Sequence, residues 1–306
     1  MSAVSSQSLY VSYLGRLEFL KILLRSIVCK FLNLTAKQHL LNNERQLVVF
    51  SFDFIGHQVN LKGLYERYEL LTTFDYLRSK GLINGIAIDV GANIGNHSLF
   101  FSKFYPEVWS FEPNARTFQV LSLNAELADN IKCVPVGLSD AEREAWLEVN
   151  QLNMGGSHIS EDIITSNTRK KIQLKTLDSY YHDFSEKMGL LKMDVEGHEL
   201  SVLKGAKNSI IRDCPIILFE QQRENFHDGK SEVFEYLKEL GYTEFATVEQ
   251  YPGIPRRYPK VLRLVCDAIL RSVLGVSYRL TKLSNLGVDS YPFVVAFPKL
   301  QDIKKA

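Results

Sequence analysis

Apolar positions along this chain follow two spacings. Short runs dense in apolar and β-branched residues, near 85–90, 107–112, 131–136, 189–194 and 214–220, are bounded by glycine, proline or polar residues and predict buried strands. Between them, apolar residues three and four apart predict helices over 95–104, 114–127, 198–210 and 230–240, the last stopped by Gly241. Alternation of this kind predicts an α/β fold with a doubly wound, mostly parallel sheet. Two further strands, 242–248 and 291–298, are expected to form a terminal antiparallel edge.

The pattern divides the chain into a helical extension (1–45), a hairpin and helix leading into the core (46–80), and the doubly wound domain (81–306) with an insertion at 249–289. In the extension, Leu17, Leu20, Leu24, Ile27, Val28 and Phe31 recur at helical spacing with Arg16, Lys21, Arg25 and Lys30 among them. Such a helix either docks on the domain or a second subunit, the favoured reading, or lies on a membrane surface. Residues 46–61 alternate around Gly56 and predict an antiparallel hairpin; Leu61, Leu64, Tyr68, Leu71, Phe74 and Leu77 then predict a helix whose Tyr65 and Tyr68 lie within reach of a ligand. Segments 144–149 and 171–175 predict an inserted hairpin around a polar loop with Gly155, Gly156 and Ser157, either a flap over the ligand or a surface loop. The insertion opens with a basic, aromatic, proline-rich stretch containing Arg256 and Arg257. It continues as a helix-like run over 261–274 with Arg263 and Arg271, placed to act as a lid or to provide a solvated basic face.

Candidate chemistry concentrates at the turn Asp89-Val90-Gly91-Ala92-Asn93-Ile94-Gly95. A buried strand runs into this glycine turn, and a helix starting near Asn96 aims unpaired N–H groups at whatever sits above. Glu112 follows Gly91 by twenty-one residues, at the tip of the second strand, where an acid can accept from both hydroxyls of a ribose. The spacing is G-x-N-x-G, not the G-x-G-x-x-G of a dinucleotide fold, and no G-K-[ST] phosphate loop is present. Asp89 would repel a diphosphate but suits a ligand carrying an ammonium and a sulfonium. S-adenosylmethionine has those properties.

A third segment, Leu190-Leu191-Lys192-Met193-Asp194-Val195-Glu196-Gly197-His198-Glu199, followed by Val202-Leu203-Lys204-Gly205-Ala206, resembles the lysine-acid-acid-glycine signature of FkbM-type methyltransferases. The order of the remaining motifs agrees: the turn 89–95, Glu112-Pro113, the run from Val134 to Asp140, Gly155-Gly156-Ser157, Thr176-Leu177-Asp178 and the run from Pro215 to Glu220. The resemblance covers residues 47–248 and resumes at the last strand. It implies a Rossmann-like class I methyltransferase that uses S-adenosylmethionine, most often on an oxygen nucleophile, and leaves the acceptor open.

Composition narrows the rest. At 306 residues, 45% hydrophobic and 23% charged, the chain can bury one large core plus extensions. A net charge of +1 gives no global pull toward nucleic acid. Cys29, Cys133, Cys214 and Cys266 are too scattered for a zinc site. The absence of a signal-peptide pattern and of a long apolar run predicts a cytoplasmic location, with peripheral contact at the inner membrane surface through 16–34 or 256–274 as the alternative.

Methyl transfer to a hydroxyl needs alignment and a nearby base. Asp194, ending the fourth strand, is the first candidate for that base; Glu196, His198 and Glu220 are the alternatives. Asp194, Glu196 and Glu220 offer oxygen ligands for Mg²⁺, yet no dedicated metal loop is visible and no metal is assigned. On the cofactor side Asp89 is expected to face the amino-acid end, directly or through water. Gly91, Asn93, Gly95 and Asn96 are expected to shape the turn, Glu112 to take the ribose, and Ser139 or Asp140 to meet the adenine. The expected acceptor is a small molecule or glycan, the oligomeric state is open, and the alternatives are N-methylation, a lipid-linked acceptor, or a cofactor-binding scaffold without activity.

Overall fold

Three helices precede the sheet: α1 (Arg16–Leu41), α2 (Phe54–Lys62) and α3 (Arg67–Ser79). The computed structural model describes residues 15–41, 45–51, 53–148, 158–160, 169–253, 260–283 and 287–299. The hairpin expected over 46–61 is absent from the described residues: 46–51 form no strand, and the second half of the segment is the helix α2. Asp53 caps α2 by accepting the Ile55 N–H, and Gly63 ends it in a left-handed conformation with its N–H on the Val59 carbonyl. Gly56 is buried in α2 against the Phe50 carbonyl, so it serves packing and not a strand turn. In α3 Phe74 and Leu77 are buried as the stripe requires, with Leu70 and Thr73. Tyr68 and Leu71 face outward, and Tyr68 stacks on Tyr278 at 4.5 Å.

The core then alternates: β1 (Ile86–Val90), α4 (Asn96–Phe101), β2 (Val108–Phe111), α5 (Ala115–Ala125) and β3 (Ile131–Val134). An inserted sheet follows, made of β4 (Gly137–Leu138), β5 (Arg143–Glu148), β6 (His158–Ser160) and β7 (Arg169–Lys175); β5 and β7 pair antiparallel as the sequence predicts. Gly155, Gly156 and Ser157 lie outside the described residues. The core resumes with β8 (Met188–Met193), α6 (Glu199–Gly205), α7 (Lys207–Asp213) and β9 (Ile216–Gln221). The single helix expected over 198–210 is two, divided at Ala206, whose φ of −108° and ψ of 4° leave the helical region. A small ribbon, β10 (Phe226–His227) with β11 (Lys230–Ser231), leads to α8 (Glu232–Glu239), β12 (Tyr242–Tyr251), α9 (Lys260–Leu274), β13 (Ser277–Lys282) and β14 (Tyr291–Pro298).

The main sheet has the order β13-β12-β14-β9-β8-β1-β2-β3. Strands β3, β2, β1, β8 and β9 are parallel, whereas β14 is antiparallel to both β9 and β12. The 249–289 insertion is therefore more than a loop and helix: its β13 extends the sheet by pairing with β12. Arg256 and Arg257 lie outside the described residues.

Side-chain alternation sorts the two faces of the sheet. Ile86, Ile88, Leu191, Met193, Ile217 and Phe219 pack with Val202, Leu203 and Phe234 of α6 and α8. Ala87, Leu190, Ile216 and Leu218 meet Leu70, Phe74, Phe100 and Phe101 of α3 and α4. Asp89 and Lys192 continue this second face, side by side in register at the C-terminal ends of β1 and β8.

Candidate active site

The C-terminal ends of β1, β2, β8 and β9 open into a cavity of about 910 Å³, part of it continuous with solvent. The glycine turn builds one side. Gly91 has φ 71°, and a Cβ there would meet the Asp194 carbonyl oxygen at 2.0 Å, so the β1 and β8 ends approach closely only because this residue lacks a side chain. Gly95, with φ 86°, occupies the N-cap position of α4. Asn93 lines the cavity in a left-handed conformation, and its buried side-chain oxygen Oδ1 has no hydrogen-bond partner.

Glu112 lines the same side. Its carboxylate accepts from the Asn93 N–H at 3.0 Å and the Asn114 N–H at 2.8 Å, tying the β2 tip to the glycine turn. Burial pushes its pKa up to about 7 against the pull of those two bonds. Phe111, Pro113, Leu138 and Leu147 give this side apolar walls.

Beneath the cavity floor lies a buried polar chain. Ser110 donates to Ser98 at 2.8 Å, Ser98 donates to Asp89 at 2.6 Å, and Lys192 pairs with Asp89 at 3.1 Å. Lys192 also donates to the Gly91 carbonyl at 3.3 Å and stands 3.7 Å from the Asp194 carboxylate. Burial disfavours the ammonium, yet Asp89 and Asp194 carry its pKa above the ordinary lysine value. Asp89 is fully buried and absent from the cavity wall, so any part it plays toward a ligand runs through Lys192 and the turn.

The other side is acidic. Asp194, Glu196 and Glu220 all line the cavity. Glu196 sits at φ 50° and accepts from the Gln222 side chain at 2.7 Å. The turn that carries it is held by Glu199, whose carboxylate accepts the Gly197 N–H at 3.2 Å and the Val195 N–H at 3.4 Å. Burial, joined by Asp194, Glu196, Glu66 and Glu199, raises the Glu220 pKa to about 8. Tyr65 closes this side, and burial next to Glu66 keeps its hydroxyl protonated. Asn96 does not reach the cavity. It pins Tyr65 instead, accepting the Tyr65 N–H at 3.0 Å and donating to its carbonyl at 3.2 Å.

Gly95 is likewise absent from the cavity wall, and three further expected residues stand elsewhere. His198 bonds Ser139 at 2.9 Å and does not line the cavity, which makes it a structural partner of the β4 end. Ser139 is fully buried between His198 and Asp140. Asp140 is exposed and paired with Arg143 at 2.7 Å, which holds its carboxyl below the ordinary range. Gly137 and Leu138, not Ser139 or Asp140, reach the cavity from this strand. Among the described residues, no group of three His, Cys, Asp or Glu is arranged to hold a metal ion.

Sequence reasoning missed Phe54 and Ile55, which line the cavity from the first turn of α2, and it assigned Glu199 no task. The Asp53 and Gly63 caps were the available signal for the first two. None of the described residues of 249–289 lines the cavity.

Residues 89–244, just over half of the chain, match the family model of the methyltransferase FkbM domain. The chain belongs to the FkbM methyltransferase family. The match begins at Asp89 and takes in the glycine turn, Glu112, the acids that follow β8 and Glu220, so the cavity is almost wholly an FkbM-domain structure. A hexuronic acid methyltransferase, AglP, of Haloferax volcanii is 33% identical over 129 residues, spanning 40% of this chain and 50% of that protein. The methyltransferase sdnD of Sordaria araneosa is 30% identical over 156 residues, spanning 40% and 60%. The chain thus spans about half to three-fifths of these relatives. Among solved structures, an FkbM methyltransferase from Methylobacillus flagellatus KT is similar at 18% identity and a TM-score of 0.36, over 78% of this chain and 52% of that one.

Proposed function

We propose that this protein is an S-adenosylmethionine-dependent methyltransferase acting on a hydroxyl of a sugar or other small molecule. The observation that carries the reading is the Glu112 carboxylate at the β2 tip, held by the Asn93 and Asn114 N–H groups in the same cavity as the glycine turn. The donor set fits the cofactor. Glu112 keeps acceptor capacity for ribose hydroxyls, Phe111, Pro113, Leu138 and Leu147 offer an apolar slot for a purine, and the unpartnered Asn93 Oδ1 calls for a donor. S-adenosylmethionine, when bound, supplies an electrophilic methyl group.

On the acceptor side, Asp194 accepts the hydrogen bond of the incoming hydroxyl and takes its proton as the new bond forms. Glu220, with its raised proton affinity, holds a proton nearby and can donate to an acceptor oxygen. Glu196 and Tyr65 orient the acceptor. The described cavity wall carries four acids and no Lys or Arg, which favours a neutral, hydroxyl-rich group in the cavity. A carboxylate on the acceptor would lie outside it. The same acids favour an amine acceptor as the second reading, and parallel assays with hydroxyl and amine acceptors distinguish the two.

Titration calorimetry of the purified chain with S-adenosylmethionine, S-adenosylhomocysteine and NAD tests the reading. Binding of the first two, weakened about tenfold or more in Glu112→Ala by loss of charged hydrogen bonds, is expected. NAD binding in their place, or no effect of the substitution, would sink it. Cofactor binding without turnover of any hydroxyl or amine acceptor would leave a scaffold.

A further inference from the structure

Helix α1 presents apolar side chains to solvent around its whole circumference. Leu17 is 75% exposed, Leu24 63%, Phe31 70% and Leu34 66%, with Phe19, Ile22 and Ile27 about half exposed. A helix apolar on all sides normally lies in a protein interior or in lipid. Its charges are one-sided: Arg16, Lys21, Arg25, Lys30 and Lys37 against Glu18 alone, a net +4 in a chain whose total is +1, leaving −3 for everything else. No described helix is long and apolar enough to cross a membrane.

A second apolar surface lies on α9. Val265, Ile269 and Val273, four residues apart on one stripe, are 51%, 60% and 78% exposed. The other side of the helix is tied down through Arg271, which reaches the Pro252 carbonyl at 3.3 Å and is steadied within the helix by Asp267 at 3.6 Å. Helix α9 follows the C-terminal end of β12, which runs in the same direction as β9 because both are antiparallel to β14. It therefore stands at the cavity end of the sheet. Helix α1 packs against α2, whose first turn lines the cavity.

We infer that α1 and the α9 stripe dock this protein on an anionic bilayer surface. Leucine and phenylalanine side chains enter the acyl boundary, the Lys and Arg stems follow them while their charged ends stay among the headgroups, and the anionic lipids neutralise α1. Charge decides against pairing of two α1 helices, because face to face they would bring five cations against five. Docking in this way turns the cavity end of the sheet to the membrane, so the acceptor is one held at the bilayer. That consequence rests on the methyltransferase reading; the docking itself does not.

Flotation of the full chain with phosphatidylglycerol-rich and pure phosphatidylcholine vesicles tests the inference. The protein is expected to float with the first, to be released by high salt, and to stay behind with the second. At roughly a kilocalorie per cation, Arg25→Gln with Lys30→Gln should weaken binding about 30-fold. Ile269→Glu with Val273→Glu should weaken it roughly tenfold or more by placing charge where the acyl boundary lies. Both variants keep the wild-type unfolding temperature and cofactor titration, so lost flotation cannot be confused with lost folding or a failed cofactor site. Equal flotation with neutral vesicles, no flotation, or a charge variant that floats like wild type overturns the inference. So does a lipid-free dimer that Leu24→Glu with Phe31→Glu dissociates, which would give the surface to a second copy.

Discussion

Glu112 on the β2 side of the cavity and Glu220 on the β9 side both follow or end a strand of the parallel sheet, and both hold a proton more tightly than an ordinary glutamate, for different reasons. Glu112 is raised chiefly by burial, with a smaller push from Asp89, while two backbone N–H groups and Lys192 pull it back. Glu220 is raised by burial and then further by Asp194, Glu196, Glu66 and Glu199, all of like charge. The first side is a fixed set of donors and acceptors, suited to holding a ligand in one pose. The second is a cluster of acids whose like charges make Glu220 hold its proton, suited to chemistry in which a proton must leave. Lys192 joins the two, touching Asp89, the Gly91 carbonyl and Asp194.

Three substitutions test this division. Asp194→Asn should lower kcat by roughly 10²–10⁴ while leaving S-adenosylmethionine affinity nearly unchanged, because a base is lost but the cofactor side is untouched. A parallel loss of cofactor affinity, measured by titration, would show that the two sides are not separable. Lys192→Met leaves Asp89 as a buried charge without its cation and should cost about 3–5 kcal/mol of stability in denaturant unfolding. A much smaller loss would mean that the Ser98 bond suffices for Asp89, and the two sides are not joined through this lysine.

Glu220→Gln has the smallest effect and the clearest sign. Its pKa of about 8 in the folded chain exceeds the ordinary 4.5, so between these values the folded state binds more protons than the unfolded one. Stability therefore falls as pH rises through that window. The neutral variant should be more stable than wild type by about 1–2 kcal/mol at pH 8, a figure reduced for the partial solvation of the group, and the gap should close near pH 5. Thermal unfolding at both pH values measures it; a gap that persists at pH 5 would show that packing, not charge, is responsible.

The parallel core was legible because its signals are local. Buried strands are short apolar runs, and the turns after them carry glycines and acids whose spacing is set by strand and helix length, as at Gly91 and Glu112. The segment 46–61 was misread because its alternation outweighed two cap residues: Asp53 and Gly63 bracket a helix whose Gly56 packs close to the Phe50 carbonyl and whose first turn lines the cavity. His198, Ser139 and Asp140 were legible as chemistry-bearing residues but not as partners of one another and of Arg143, since neither motif contains the other.

By itself the sequence determined the doubly wound core, the family signature, and which strand ends carry acids, because each follows from periodicity and spacing along a continuous stretch. Only the tertiary structure decided that Asp89 is spent on Lys192 and Ser98, that Asn96 holds Tyr65, and that α2 closes the cavity. Those outcomes depend on which side chains distant in sequence arrive at the same few ångströms. Register between parallel strands sets the Asp89–Lys192 pair, and the packing of α2 and α4 on the sheet sets the others.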